Sequence, residues 1–159
     1  MISKVIYIYA AILLIVSNVY AHDLSLNHVH GKWTFKKVNN NVCTIFQLPV
    51  SEKGAENKIR GTVFFHVFKD ESVEYVRIDA GYPYDPEKNI KVSIDGNNYQ
   101  FFGENNFAWS SKDDRLIIDA MKAGKEMTVV GYSKKGTETT DTYTLIGFTN
   151  AYNSMQKDC

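Results

Sequence analysis

Apolar and polar residues alternate with a period of two from Trp33 to Phe107. Successive side chains of a strand point to opposite faces of a sheet, so this alternation is typical of β-strands that bury one face. It predicts strands at residues 32–38, 42–49, 61–69, 72–79, 89–94 and 98–102. The third of these is apolar on both faces, which favours a central position in a sheet that is covered on both sides.

A segment after Ser111 breaks the alternation and predicts a helix at about residues 112–123. Its apolar residues recur at helical spacing and form one stripe, which consists of Leu116, Ile117, Ala120 and Met121. Ser111 is a suitable N-cap, Asp113 and Asp114 suit the first turn, and Gly124 suits a left-handed closing position. We expect the stripe to pack on the sheet rather than to hold a cofactor.

Two further strands are predicted at residues 127–133 and 139–147, and Thr149 is placed to begin a short C-terminal helix. Asp95, Gly96 and Asn97 tolerate positive φ angles, which predicts a tight hairpin between residues 89–94 and 98–102. The fold class predicted is mainly β: an antiparallel sandwich or partly open barrel of about eight strands, with one inserted helix and a short C-terminal helix.

The first 21 residues have the layout of a secretory signal. Lys4 precedes an apolar stretch of twelve residues. Val19 and Ala21 are small residues at the two positions that a signal peptidase recognises. Twelve residues are too few to span a bilayer, which needs about 20. We expect cleavage after Ala21, a single domain at residues 22–159 without a transmembrane segment, and a periplasmic or secreted location. An uncleaved N-terminal anchor is the alternative.

Export makes the two cysteines, Cys43 and Cys159, informative. An even count in an oxidising compartment favours a disulfide between them. Two unpaired thiols, or an intermolecular bridge through Cys159, remain as alternatives.

Composition and charge narrow the classes of partner and activity. The chain has 159 residues with 18 Lys and Arg against 18 Asp and Glu, so its formal net charge is zero. No basic run is longer than a pair of lysines, which disfavours nucleic acid as a partner. The sequence also has no nucleophile elbow, phosphate loop or paired zinc-ligand motif, so we expect a protein without catalytic residues or cofactor.

Three histidines, His22, His28 and His30, form the one constellation with metal-binding chemistry. Imidazole suits copper and zinc, and His22 would also offer a free amine after cleavage. Without an adjoining carboxylate or thiolate, an adventitious site is the favoured interpretation. His66 lies in an apolar strand and is interpreted as a core or boundary residue.

The loop at residues 81–86 holds Tyr82 and Tyr84 together with Pro83 and Pro86. Tyrosine combines apolar area with a hydroxyl at low entropic cost, which makes the two rings weak candidates for contact with a partner. The alternative, which we favour, is a structural corner with both rings packed on the sheet edge.

Several motifs together resemble one family. They are Gly31, Trp33 and Phe35; Cys43; Arg60 and Gly61; residues 80–84; Ala108 and Trp109; Asp113 and Asp114; residues 120–124; and residues 136–152 with their Leu145, Gly147, Phe148 and Ala151 pattern. In this order they resemble the invasion-associated locus B family of alphaproteobacterial envelope proteins. The resemblance implies an exported β-rich protein, linked in some pathogens to host-cell entry, with no catalytic residues to carry over.

We therefore expect an exported, non-enzymatic envelope protein that binds a protein or another envelope component. The alternative is a periplasmic protein that binds a small ligand or a metal ion, copper or zinc.

Overall fold

The structure is a computed structural model that describes residues 28–56, 58–112 and 114–159. The predicted signal segment, its cleavage site, His22 and Asp113 lie outside the described residues. The strands are β1 (His28–His30), β2 (Trp33–Lys37), β3 (Val42–Gln47), β4 (Ser51–Lys53), β5 (Phe64–Asp70), β6 (Val73–Asp79), β7 (Ile90–Ile94), β8 (Asn97–Glu104), β9 (Phe107–Ser110), β10 (Glu126–Tyr132) and β11 (Glu138–Thr144). The helices are α1 (Asp114–Ala123) and α2 (Phe148–Asp158).

All eleven described strands form one antiparallel sheet in the order β1-β2-β3-β5-β6-β9-β8-β7-β10-β11-β4. The mainly β class and both helices are confirmed. The prediction of about eight strands was too low, because β1, β4 and β9 are only three or four residues long and carry too few positions to show alternation.

The short connection between β3 and β4 forces this sheet to curl. Gln47 and Ser51 are four residue steps apart, so an extended chain between them spans at most about 14 Å. In a flat sheet the eight spacings between β3 and β4 would separate them by about 38 Å. The two ends of the sheet therefore approach each other, and the fold is a half-barrel. Of the two predicted forms, a sandwich and a partly open barrel, the second is the one observed.

Side-chain and backbone groups from the two ends of the sheet form hydrogen bonds across the seam. The Gln47 side-chain carbonyl accepts a hydrogen bond from the Thr144 backbone N–H at 3.0 Å, and the Val50 N–H donates to the Thr142 carbonyl at 2.7 Å. The Trp33 indole N–H also donates to the Thr144 carbonyl, at 2.8 Å. These bonds join β2 and β3 to β11 without a ladder between them.

The inner face of the curled sheet and both helices share one apolar core. Trp33 packs edge-on against Phe148 of α2 with 4.9 Å between ring centroids, and Met121 of α1 is buried in the same cluster. The predicted stripe of α1 is shifted by one position, since Ile118 is buried whereas Leu116 is exposed. Helical spacing alone predicts Leu116 on the buried stripe, but the orientation of α1 over the sheet places Ile118 there instead.

The helix ends also differ from the prediction. Gly124 does not have a positive φ angle; its lack of a side chain is needed because a Cβ there would lie 2.8 Å from Ile94 and Leu145. Helix α2 starts after Gly147 in the left-handed region, with φ of 92°, and Thr149 instead donates its hydroxyl to the Lys122 carbonyl of α1 at 3.2 Å.

The hairpin at Asp95 and Gly96 is confirmed, with both residues at positive φ between β7 and β8. Strand β5 is central, as predicted, but it is not sandwiched between two layers. Phe65 and Val67 join the core cluster, whereas Phe64, His66 and Phe68 face the opposite side and contact aromatic rings of the neighbouring strands. In the described part of the chain, no helix is long and apolar enough to cross a membrane.

A disulfide joins Cys43 of β3 to Cys159, which follows α2, and confirms the intramolecular pairing. It links residues 116 positions apart and holds α2 over β3. Of the alternatives, neither free thiols nor an intermolecular bridge is present.

We predict that replacing both cysteines by alanine lowers the free energy of unfolding by up to about 5 kcal/mol, since the unfolded chain regains the freedom of a loop of more than a hundred residues. Urea unfolding followed by tryptophan fluorescence measures the loss. Wild-type protein unfolded with a reductant is the matched control and is expected to give the same loss. A loss below about 1 kcal/mol in both cases would contradict the prediction.

Candidate functional site

A buried ion pair lies where the loop before β5 meets β11. Both guanidinium NH groups of Arg60 donate to the Asp141 carboxylate, at 2.8 and 2.6 Å, and the Arg60 Nε–H donates to the Ala80 carbonyl at 2.7 Å. Glu52 of β4, half exposed, accepts a further bond at 3.3 Å. Burial disfavours the charged guanidinium, but the hydrogen bonds and the charge of Asp141 outweigh it and raise the pKa of Arg60.

Tyr82 packs on this ion pair. The Arg60 guanidinium lies 5.1 Å from the centre of the Tyr82 ring, and the tyrosine hydroxyl and the Thr139 hydroxyl are 2.6 Å apart in a hydrogen bond. Burial raises the pKa of Tyr82, so its hydroxyl is neutral at physiological pH. The contacts of its ring and hydroxyl hold Tyr82 in place at the edge of a cleft.

Tyr84 lies in the core, only 3% exposed. Its ring packs edge-on to Tyr82, and its side chain covers two glycines: a Cβ at Gly103 would lie 2.5 Å from the Tyr84 Cβ, and a Cβ at Gly131 would lie 2.9 Å from the Tyr84 ring. Burial raises the pKa of Tyr84 well above its usual value. Tyr84 thus matches the structural-corner alternative and offers no surface to a partner, while a contact through Tyr82 stays a prediction.

A cleft of about 690 Å³ opens beside Tyr82. Its described lining comes from three parts of the chain: Ala55 and residues 58–60, the loop at residues 81–83, and residues 133–139 at the turn between β10 and β11. Of the described residues that line it, four are basic and none is acidic. We refer to it as the Tyr82 cleft.

The outer surface of the sheet carries a second candidate site. Aromatic side chains on five consecutive strands point away from the core there, and we call them, with Arg77, the outer aromatic face: Phe46 of β3, Phe64, His66 and Phe68 of β5, Tyr75 and Arg77 of β6, Phe107 and Trp109 of β9, and Phe102 of β8. Neighbouring rings of this face contact one another. The ring centroids of Phe46 and Phe64 are 5.7 Å apart, and those of Phe68 and Tyr75 are 5.1 Å apart.

Arg77 lies at the centre of the outer aromatic face. Its guanidinium is stacked on Phe68 at 4.7 Å and on Phe107 at 4.6 Å from the ring centres. Two N–H groups of this face, Arg77 Nε and Trp109 Nε1, are buried without an acceptor among the described residues. Each of these donors lacks the hydrogen bond that a buried polar group normally makes.

His66 lies among these rings, stacked on Phe68 at 5.1 Å, and its Nδ1 is 3.3 Å from the Thr44 hydroxyl. Burial and the nearby charge of Arg77 lower the pKa of His66 to about 4. It is a neutral boundary histidine at physiological pH, in agreement with its interpretation from the sequence.

The predicted histidine constellation is only partly described. His30 lies in β1 and its Nε2 bonds to the Ser154 hydroxyl of α2 at 2.9 Å, while His28 pairs through its backbone with Phe35. The described residues contain no group of three or more histidine, cysteine, aspartate or glutamate side chains that could hold a metal ion. His22, His28 and His30 therefore stay weak candidates for metal binding, and an adventitious site stays the favoured interpretation.

Sequence reasoning missed two parts of these sites. Arg60 entered only through the family motif, and Asp141 was not singled out, although a charged residue at an inward position of a strand signals a buried partner. The outer aromatic face was missed because an apolar second face was interpreted as covered.

Comparison with known proteins identifies the family of this chain. The family model described as "Invasion associated locus B (IalB) protein" matches residues 32–156. The chain belongs to the IalB family. A solved IalB structure, described as invasion associated protein b from Bartonella henselae, superposes with a TM-score of 0.61 at 18% sequence identity, over 84% of this chain and 99% of that one. This likeness shows a shared fold, and no curated protein matches the sequence.

We predict that Asp141→Asn lowers the free energy of unfolding by about 3 kcal/mol, since the change leaves the Arg60 charge buried without its counter-ion. Urea unfolding measures the loss. The matched control is Glu52→Gln, which removes the half-exposed partner of the same arginine and is expected to cost at most about 1 kcal/mol. Equal losses in the two variants would contradict the prediction.

A pH dependence follows from His66. Its ring is neutral in both states above about pH 6.5, but as pH falls from 6.5 to 4 only the unfolded chain takes up the proton. The free energy of unfolding should therefore fall by up to about 3 kcal/mol over this range relative to a variant without the imidazole. Urea unfolding of wild type and His66→Gln at several pH values checks this; parallel curves would contradict it.

Proposed function

We propose that this IalB-family protein is an exported, non-enzymatic envelope component, periplasmic or secreted, which binds another protein through its outer aromatic face. The signal layout and the disulfide between Cys43 and Cys159 support export to an oxidising compartment. The near balance of acidic and basic residues gives no support to nucleic acid as the partner. For a bacterium that enters host cells, the family description supports a partner on the host surface.

The observation that carries this proposal is the composition of the outer aromatic face. The solvent side of an antiparallel sheet is usually polar, whereas here eight aromatic or imidazole rings lie on five adjacent strands, together with Arg77 and Asp79. Contiguous exposed apolar patches mark interaction sites, and aromatic residues and arginine are enriched in protein interfaces. Tryptophan, tyrosine and arginine are also the residues most often found as energetic hot spots.

Arg77 indicates the chemistry of the partner. Among the described residues its guanidinium has ring contacts but no ion pair, and its Nε and the Trp109 indole N–H lack acceptors. A partner that places a carboxylate against the guanidinium, within an apolar surface, would supply the missing counter-ion. We therefore propose a protein partner with an acidic side chain surrounded by apolar residues.

In-cell photo-crosslinking tests the proposal. A benzophenone amino acid at Phe102, which is 49% exposed on the outer aromatic face, should crosslink to one reproducible protein. The matched control places the same amino acid at Leu116, which is 59% exposed on α1. Adding Arg77→Gln to the Phe102 crosslinker should reduce the crosslinked product at least tenfold, since the carboxylate loses its counter-ion.

Equal products from the two positions, or a product that does not depend on Arg77, would overturn the proposal. Crosslinking of Phe102 to lipid instead of protein would also overturn it, since a membrane surface would then be what the face contacts. Circular dichroism of each variant confirms that the fold is retained before the comparison is made.

A further inference from the structure

The Tyr82 cleft shares no residue with the outer aromatic face, and backbone hydrogen bonds join the segments around it. The Gly61 N–H donates to the Gly81 carbonyl at 2.9 Å, and the Lys134 N–H donates to the Pro83 carbonyl at 2.9 Å, so the three segments around the cleft are tied to one another. The turn that carries Lys134 is itself closed by a bond from the Gly136 N–H to the Ser133 carbonyl. The volume of the Tyr82 cleft, about 690 Å³, is within the range of small-molecule sites.

The charge of the cleft is uneven. Arg60 at its floor is neutralised from behind by Asp141 and Glu52, but Lys58, Lys134 and Lys135 at the rim have no ion pair among the described residues. Lys58 is held in position by a 2.6 Å hydrogen bond from its ammonium group to the Thr137 hydroxyl. In a chain with a net charge of zero, these three ammonium groups make a local cationic rim.

The wall below this rim is apolar. The Tyr82 ring, Pro83 and Ala55 line it, and Ile59 lines it with a fully exposed side chain. A large aliphatic side chain in open solvent beside an aromatic ring forms an apolar surface that a ligand can cover. The hydroxyl groups of Ser133, Thr137 and Thr139 are the remaining polar side chains of the lining.

We propose that the Tyr82 cleft binds a small amphiphilic carboxylate, with the carboxylate at the lysine rim and the apolar body against Ile59 and Tyr82. A neutral ligand would leave the ammonium groups unpaired, and an inorganic anion would leave the apolar wall in water. A fatty acid and the C-terminus of an apolar peptide both combine a carboxylate with an apolar body. The affinities of the cleft for a probe of each kind distinguish the two. This site is independent of the partner surface proposed above.

Backbone amide chemical shifts of the mature protein, followed during titration, test the proposal with four probes: octanoate, N-acetylleucylleucine, 1-octanol and acetate. Octanoate or N-acetylleucylleucine should shift the amides of residues 58–60, 81–82 and 133–137 and saturate. 1-Octanol, which lacks the charge, and acetate, which lacks the apolar body, should bind at least tenfold more weakly. Tighter binding of octanoate assigns an acyl ligand, and tighter binding of the dipeptide assigns a peptide C-terminus.

Two pairs of variants locate the binding. The double change Lys134→Glu and Lys135→Glu should weaken octanoate at least tenfold, whereas Lys91→Glu, at an exposed site on β7, should leave it unchanged. Ile59→Ser should weaken it severalfold, whereas Ile146→Ser, at another exposed isoleucine, should not. All five positions are exposed, so we expect each variant to retain the fold.

The proposal is overturned if neither carboxylate shifts the cleft amides at millimolar concentration. It is also overturned if 1-octanol binds as tightly as octanoate, or if the lysine variant binds as well as wild type. Shifts confined to the outer aromatic face would assign the probe to that surface and overturn the proposal in the same way. None of these results affects the crosslinking test, which probes a different face.

Discussion

The three residues that separate β3 from β4 are the constraint on which this fold depends. They connect two strands that stand eight places apart in the sheet, so the sheet must curl until its ends meet. The bonds from Trp33, Gln47 and Val50 to the backbone of β11 then hold the seam. Curling also separates the two faces of every strand: the inner one forms the core with both helices, and the outer one is convex and open to contact.

This separation explains why the polar groups are found where they are. Asp141 points inward from β11, where an isolated carboxylate would be costly, and Arg60 enters from the preceding loop to pair with it. The pair anchors Tyr82 by its ring and orients the segments of the cleft. Arg77 faces outward instead, and aromatic rings rather than a carboxylate contact it. Two arginines in one chain thus occupy opposite electrostatic situations.

Long alternating segments could be predicted from the sequence because their period reflects burial directly, as in β10 and β11. The short strands β1, β4 and β9 could not, since their pairing depends on the curl of the whole sheet. Helix α1 was located correctly, yet the choice between Leu116 and Ile118 depends on its orientation over the sheet. Tyr82 was found from its loop chemistry, whereas Arg60 and Asp141 are linked only by tertiary contact across 81 residues.

The crossing from β3 to β4 has a consequence for the order in which the chain acquires structure. Lys53 pairs with Thr140, so β4 has no neighbour until almost the whole chain is available. A chain that emerges N-terminus first can pair β2, β3, β5 and β6 with one another early, but it must leave β4 unpaired until β11 is available. Open strand edges favour pairing between copies, and non-local pairing is slow. Seam closure is therefore the late step at which self-association competes with folding, and a factor that shields strand edges would act there.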